Sequence, residues 1–213
     1  MDKLRSFPQG EIFHLCNKSI SNYSIFRNEN WIDRFLTAIH HYNDINIQVC
    51  LSKALRKPIV QQNLLVRKPN QILYVLAYCI MRDHYHLLVK VHKDYSLSRC
   101  ISNIENSYTR YYNKLNRRKG PLWQSRFRAS SIKDNETLLH VHRYIHLNPV
   151  TAGYVNKPEE WKWSSYITFI SNSEALLNTK EISIKSVHTY KRFIEDQINY
   201  QKTIKGIQRK LLE

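Results

Sequence analysis

Two kinds of hydrophobic spacing divide the chain into predicted strands and helices. β-Branched, aromatic and other apolar residues alternate or run together, as is typical of strands, at residues 11–17, 72–80 and 84–91. Apolar residues recur every three or four positions, which predicts amphipathic helices, at residues 30–41, 94–116, 134–148 and 187–200. Asp134 or Asn135 is the predicted cap of the third helix. Pro149 is expected to end that helix near Asn148, because proline disfavours helical geometry at the residue before it.

The length and composition predict one principal domain with an appendage. The chain has 213 residues, of which 42% are hydrophobic, and this is enough for a well-packed core. Only 4 Gly and 6 Pro are present, so a long flexible linker is not expected. We assign residues 1–170 to the domain, with a possible basic insertion at 44–70. Residues 171–213 form a helical basic tail, which is either a DNA-binding or autoinhibitory segment or a packed C-terminal helix.

The charge favours a polyanionic partner, most plausibly a nucleic acid. Lys and Arg number 33 against 17 Asp and Glu, which gives a formal net charge of +16. The most basic stretch, residues 117–128, interleaves cations with aromatic rings. Guanidinium groups can pair with phosphates while aromatic rings stack on bases. The candidate DNA-binding residues in this stretch are Arg117, Arg118, Lys119, Trp123, Arg126 and Arg128.

Targeting and redox signals point to a cytoplasmic protein that does not enter a membrane. The longest apolar runs are strand-sized, and the first residues lack the apolar core of a signal peptide. The four cysteines are scattered without a Cys-x-x-Cys pair, which is typical of reduced thiols.

Two histidines form the first candidate site. His84 and His86 are two positions apart on a predicted strand, so both imidazoles project from the same face and could bind a metal or simply make that face polar. A tight connection at 81–83 precedes them, and Asp83 could be an extra ligand or a partner of Arg82. His142 and His146 share a helix face and form a second, weaker metal pair on spacing.

A tyrosine and an asparagine form the second candidate. Tyr144 and Asn148 are four apart on a predicted helix, which places a nucleophilic phenol beside an amide oxygen. A phenol with an ordinary pKa of about 10 needs an electropositive setting and a polarised target to react near neutral pH. Other tyrosines with the right chemistry lie along the 94–116 helix, where packing is the favoured role: Tyr108, Tyr111 and Tyr112.

Four motifs resemble those of the REP-associated tyrosine transposases, a branch of the single-tyrosine HUH (IS200-like) transposases. They are M-R-D-H-Y-H-L-L at 81–88, a block at 113–127 that contains L-W-Q-S-R-F, R-Y-I-H-L-N-P-V-T-A-G at 143–153 and W-K-W-S-S-Y at 161–166. The similarity runs in matching order over about residues 8–170. One departure is that the family has M-P-N-H where this chain has M-R-D-H.

The resemblance implies a fold, a reaction and a set of roles. It implies a ferredoxin-like α+β sandwich, with a central antiparallel sheet that carries the histidines and helices on one side. It makes His84 and His86 metal ligands, Asn148 the third ligand and Tyr144 the nucleophile. The activity implied is cleavage and rejoining of single-stranded or hairpin DNA through a 5′-phosphotyrosine, by a monomer or homodimer. The alternatives are a catalytically inactive nucleic-acid-binding protein and a metal-dependent nuclease that uses water.

The ligand types themselves bear on the metal. Imidazole and oxygen ligands with open positions fit Mg²⁺ or Mn²⁺, and zinc is also compatible with them.

Overall fold

The computed structural model describes residues 6–55, 64–93, 97–171, 181–184 and 186–198. The strands are β1 (Ile12–Lys18), β2 (Leu73–Ile80), β3 (His84–Val91) and β4 (Arg128–Ile132). The helices are α1 (Glu29–Tyr42), α2 (Leu51–Ala54), α3 (Leu97–Leu115), α4 (Asn135–Thr151), α5 (Tyr166–Ser171) and α6 (Val187–Glu195).

The four strands form one antiparallel sheet in the order β2-β3-β1-β4. This order and the α1 and α3 crossovers give the ferredoxin-like α+β arrangement, and the histidine strand β3 is central in the sheet, as predicted. The tight connection before it is also confirmed, since the Met81 amide donates to the His84 carbonyl over 2.8 Å. Strand β4 was not predicted, because its five mostly polar residues give almost no hydrophobic alternation.

Helices cover both faces of the sheet, so the expectation of helices on one side is wrong. Residues such as Leu15 and Leu87 point to the face that α1 and α3 cover, and they join the larger buried cluster. On the opposite face Leu88 is buried against Leu138 and Ile145 of α4. Helix α4 packs on this second face because the face carries apolar side chains, which the helix removes from water.

Helix α4 begins where predicted but ends later. The Asp134 carboxylate accepts a 2.7 Å hydrogen bond from the Thr137 amide, which confirms the cap. The helix continues through Pro149 to Thr151, so the end predicted near Asn148 is wrong. Proline here lies in the last turn and removes one backbone donor there, while its buried ring adds apolar contact.

The aromatic residues of α3 build the core on the face away from the site histidines. Tyr108 is fully buried and donates to the Ile25 carbonyl over 2.5 Å. Tyr111 and Tyr112 are partly buried, and Tyr112 contacts the ring of Trp31. The packing role predicted for these three tyrosines is therefore confirmed.

The described part of the tail packs on the domain. Helix α6 contacts α4 and α5, and it ends at Glu195 rather than at the predicted residue 200. The basic residues predicted at the end of the tail, Lys202, Lys205, Arg209 and Lys210, lie outside the described residues. Within the 44–70 segment the structure describes α2 and residues 64–70, whereas 56–63 are not described. The domain boundaries and the insertion remain predictions.

All four cysteines have free thiols. The Cys100 thiol, for example, is buried and donates to the Tyr42 carbonyl. In the portion of the chain that is described, every helix is too short or too polar to cross a bilayer.

A carboxylate fixes the segment before α6 to the sheet. Glu181 accepts hydrogen bonds from Arg67 at 2.7 Å and Lys90 at 2.9 Å. Burial raises the pKa of Glu181, but these two cations outweigh burial and lower the pKa to about 2.

We expect Glu181→Gln to reduce the free energy of unfolding by about 1 kcal/mol at pH 7. Because the folded-state pKa is depressed, this contribution is complete above the ordinary carboxyl pKa and is lost as the pH falls toward the folded value. Urea unfolding of wild type and variant from pH 7 to pH 3 measures the difference, which should shrink below about pH 4.5. Glu11→Gln, at an exposed position, is the control. A difference that stayed constant with pH would contradict this account.

Candidate active site

A cavity of about 310 Å³ opens on the sheet face that α4 covers, beside the ends of β1 and β3. Strand pairing places Cys16 opposite His86 and Lys18 opposite His84, so side chains from both strands point into it. The residues that line the cavity are Cys16, Asn17, Lys18, His84, His86, Gln124, Ser125, Arg128 and Tyr144. Both predicted histidines and the predicted tyrosine therefore meet in one place.

His84 is oriented by a carboxylate. Its Nδ1 lies 2.6 Å from Asp83 Oδ1, and Lys18 Nζ lies 3.3 Å from the other carboxylate oxygen. Burial raises the pKa of Asp83, but the hydrogen bond from His84 and the Lys18 charge outweigh burial, so the net shift is downward. Arg82 instead stacks its guanidinium over the Tyr154 ring, 4.5 Å from the centroid. Asp83 is thus a partner of His84 and Lys18, not of Arg82.

His86 contacts a third histidine, His14, which the sequence analysis did not identify. His14 Nε2 lies 2.9 Å from His86 Nδ1, and the two rings are stacked with centroids 5.1 Å apart. The other ring nitrogen, His86 Nε2, is buried and has no hydrogen-bond partner among the described residues. A buried polar atom of this kind is expected to be satisfied by a water molecule, an ion or another bound group.

Tyr144 reaches the histidines from α4. Its ring centroid is 5.4 Å from that of His86 and 6.1 Å from that of His14, both edge-on, and 43% of the residue is exposed. Burial raises the pKa of the Tyr144 phenol, and a hydrogen bond from the Asn148 side chain opposes that rise. The tyrosine and the histidines belong to the same chain, so a single protomer contains all three.

Asn148 follows Tyr144 by one helical turn. Its amide Nδ2 donates 2.9 Å to the Tyr144 carbonyl, and the residue is not among those that line the cavity. Within the described ranges, no group of three or more His, Cys, Asp or Glu side chains is arranged to hold a metal ion. A metal at this site would therefore need oxygen ligands besides the two imidazoles.

One wall of the cavity comes from the basic block before β4. The Gln124 amide donates to the Lys18 carbonyl over 2.9 Å, and Asn17 Nδ2 donates to both the Ser125 carbonyl and the buried Glu105 carboxylate. Burial raises the pKa of Glu105. These contacts fix the block to the end of β1.

The candidate DNA-binding residues of this block divide into two kinds. Arg117, Lys119, Arg126 and Arg128 are exposed, whereas Arg118 donates to Asn113 and to the Pro121 carbonyl. The Trp123 ring packs 5.6 Å from that of Tyr85 and belongs to the core side of the sheet. The aromatic rings of the block thus contribute to folding. Its role in binding DNA stays a prediction.

The pair His142 and His146 serves a buried hydrogen-bond network. His142 Nε2 lies 3.3 Å from the Leu76 carbonyl, which can only accept, so His142 Nδ1 must accept from the Tyr190 hydroxyl at 2.7 Å. Tyr190 then accepts from His146 Nδ1 at 2.6 Å, and His146 Nε2 lies 2.7 Å from the Ser165 hydroxyl, which is also 3.2 Å from the Tyr78 carbonyl.

Every ring nitrogen in this network has a partner with both histidines neutral. Burial lowers the pKa of His142 to about 4 and holds that of His146 well below its ordinary value, in agreement with neutral rings. All four ring nitrogens of His142 and His146 are used in these hydrogen bonds. The pair therefore has a structural role in place of the metal binding that its spacing suggested.

The fold and the cavity define a ferredoxin-like α+β domain that presents a tyrosine and two histidines together. Comparison with known proteins is consistent with this class. The family model "Transposase IS200 like" matches residues 68–148, which include the histidine strand and Tyr144. Over these residues the chain is similar to the IS200-like transposases.

The chain is 32% identical over 101 residues to a Haemophilus influenzae protein named "Putative REP-associated tyrosine transposase". That match spans 43% of this chain and 57% of the relative. A solved structure of a REP-associated tyrosine transposase bound to a REP hairpin shares the fold, with a TM-score of 0.59, 14% identity, and coverage of 88% of this chain and 96% of the other. The predicted resemblance to REP-associated tyrosine transposases is confirmed.

Proposed function

We propose that the protein is a DNA transposase that cuts and rejoins single-stranded DNA beside a hairpin, with Tyr144 as the nucleophile. One observation carries the proposal: the Tyr144 ring lies 5.4 Å from that of His86 in a cavity that His84 also lines. A phenol on a helix and two imidazoles on a central strand meet there without a partner chain. The similarity to IS200-like and REP-associated tyrosine transposases supports transposition as the biological role.

In the proposed step, the deprotonated Tyr144 oxygen attacks the scissile phosphorus. A bond forms between the phenolic oxygen and phosphorus as the bond from phosphorus to the 3′ oxygen breaks. The proton lost by the phenol is balanced by the one that the leaving 3′ oxygen gains, so the products are a 5′-phosphotyrosine and a free 3′ hydroxyl. Attack by a 3′ hydroxyl on that linkage reverses the step and joins a strand without a new energy source.

The residues present fit a divalent cation, Mg²⁺ or Mn²⁺. His86 Nε2 is the buried orphaned nitrogen, and the Nδ1 atoms of both histidines are already engaged, which leaves their Nε2 atoms for a ligand. His84 and His86 would hold the cation, Asn148 would join them once its side chain turns from the Tyr144 carbonyl toward the cavity, and DNA oxygens would complete its ligands. Such an ion supplies Lewis-acid stabilisation of charge that develops on the phosphate. Because burial raises the pKa of Tyr144, the phenol needs an electropositive partner to lose its proton and attack.

Charge around the cavity suits a nucleic-acid strand. Lys18 and Arg128 line it, and Arg126 directly follows the lining residues Gln124 and Ser125 in the chain. Phosphate contacts of this kind position a strand without reading its sequence. The structural relative is bound to a REP hairpin. On this basis we propose a hairpin next to the cleaved single strand as the substrate, with Arg117, Lys119, Arg126 and Arg128 as its phosphate contacts.

The test is formation of a covalent protein–DNA adduct. Full-length protein is incubated with hairpins flanked by randomised single-stranded DNA and Mg²⁺, Mn²⁺ or chelator, and resolved on a denaturing gel. We expect a metal-dependent adduct that peptide mapping places on Tyr144. Cleavage without an adduct would instead indicate a nuclease that uses water, and DNA binding without cleavage would indicate an inactive binding protein.

We further expect Asp83→Ala to weaken Mn²⁺ binding about 10-fold, because a carboxylate behind a ligating histidine fixes its orientation and raises its basicity. Asp83→Asn should have a smaller effect, since the amide oxygen still accepts from His84 Nδ1. Free Mn²⁺ measured by electron paramagnetic resonance gives the affinity without DNA. Asp33→Asn, on α1 at the opposite face, is the control. Equal affinities for all variants would contradict a role for His84 in metal binding.

A further inference from the structure

The contact between His14 and His86 joins two strands across the face of the sheet. His14 is on β1 opposite Leu88, so it lies diagonally from His86 and its ring reaches over to it. The Nε2 to Nδ1 distance is 2.9 Å, and the rings are nearly parallel, with 23° between their planes. This distance requires one proton between the two nitrogens, because two lone pairs or two N–H groups would repel.

Two arrangements of that proton are possible, and they differ at the cavity. If His14 Nε2 carries the proton, His86 accepts at Nδ1 and must carry its own proton at Nε2. If His86 Nδ1 carries the proton, His14 Nε2 accepts, and His86 Nε2 keeps a lone pair.

The surroundings of His86 Nε2 favour the second arrangement. The first would bury an N–H group with no acceptor in the described part of the chain, which is unfavourable. The second buries a lone pair that a cation can satisfy. His84 has the same layout, since its Nδ1 faces Asp83 and its Nε2 is left for a ligand. Two different elements, the 81–83 turn and β1, thus engage the Nδ1 atoms of the two histidines.

We infer that His14 is a positioning residue, which accepts a hydrogen bond from His86 Nδ1 and thereby fixes the tautomer that directs the His86 Nε2 lone pair to a divalent cation. The inference rests on the metal site of the proposed function. It assigns His14 no contact with the cation or with DNA. It makes β1 a part of the metal site even though both histidine ligands come from β3.

Two variants of His14 separate this role from simple packing. His14→Leu fills similar space but offers no acceptor, and it should weaken Mn²⁺ binding about 10-fold, as loss of a partner behind a ligating histidine does. His14→Gln can place an amide oxygen near the position of Nε2, and it should stay within about 3-fold of wild type. His188→Leu, at an exposed position on α6, is the control. Affinities are measured on the full chain without DNA.

A second readout reports the tautomer directly. In a ¹⁵N-histidine spectrum of metal-free wild type, we expect His86 to be protonated at Nδ1, with that preference reduced in His14→Leu. A wild-type proton at Nε2 would overturn the inference, even if His14→Leu failed to fold. Unchanged Mn²⁺ affinity in a folded His14→Leu would also overturn it and leave the proposed function standing. Absence of Mn²⁺ binding by wild type would overturn both the metal site and the inference.

Discussion

Replacement of Tyr144 by phenylalanine is expected to abolish the covalent adduct and lower DNA cleavage by about 10³-fold or more, as loss of a nucleophile does in other enzymes. Phenylalanine retains the ring and therefore the edge-on contacts with His86 and His14. Only the hydroxyl is lost, together with the hydrogen bond that it accepts from the Asn148 side chain. Stability, DNA binding and Mn²⁺ affinity should stay close to those of wild type. Adduct yield and the rate of strand cleavage, measured on the same hairpin substrate, give the effect.

Tyr111→Phe is a matched control for this substitution. Tyr111 has the same chemistry, but it packs on α3 beneath the other face of the sheet, where Arg34 stacks over its ring. Its substitution should leave cleavage unchanged. Cleavage that survived Tyr144→Phe would rule out the tyrosine mechanism and favour attack by water. Loss of cleavage in the Tyr111 variant alone would mean that the nucleophile has been placed on the wrong helix.

The second large effect is expected at Tyr190, where Tyr190→Phe should lower the free energy of unfolding by about 2–4 kcal/mol. The hydroxyl donates to His142 Nδ1 and accepts from His146 Nδ1, and all three residues are buried. Phenylalanine would leave both histidine nitrogens without partners where water cannot replace the lost bonds. Chemical denaturation followed by circular dichroism measures the loss.

Tyr23→Phe provides the comparison, since Tyr23 is 47% exposed and its substitution should change stability by less than about 0.5 kcal/mol. A similarly small effect at Tyr190 would show that the network contributes little. The Tyr190 variant should also reduce cleavage at temperatures where it remains folded, because α6 and Ser165 hold the far side of the helix that carries Tyr144.

The sequence predicted the elements that have strong hydrophobic spacing. The hairpin of β2 and β3 followed from two apolar runs around a short turn, and the cap of α4 was placed at Asp134 or Asn135. Strand β4 was missed because Arg128–Ile132 is held by backbone pairing to β1, and its side chains carry little pattern. The end of α4 was wrong because a proline in a last turn costs one hydrogen bond while its burial adds apolar contact.

The site was predictable only where its residues are close in sequence. His84 and His86 share one strand, so their common face follows from strand geometry. That they meet Tyr144 was predicted from the resemblance, since no local rule brings a residue 58 positions after His86 to that strand. His14 and Lys18 were missed because the neighbours of a strand depend on pairing and register, which a single sequence does not specify. The packing of Trp123 was not predicted for the same reason, since the rings around it, Phe26, Phe35, Tyr85 and Tyr108, come from distant parts of the sequence.

The attachment of α4 has a mechanical consequence for the proposed reaction. While a DNA strand is joined to Tyr144, any tension on that strand acts on this helix. The side of α4 away from the cavity is tied through His142 and His146 to β2, to Ser165 and to α6. The tension is therefore spread over the sheet and the C-terminal helix, so that the tethered end stays in place until it is joined again.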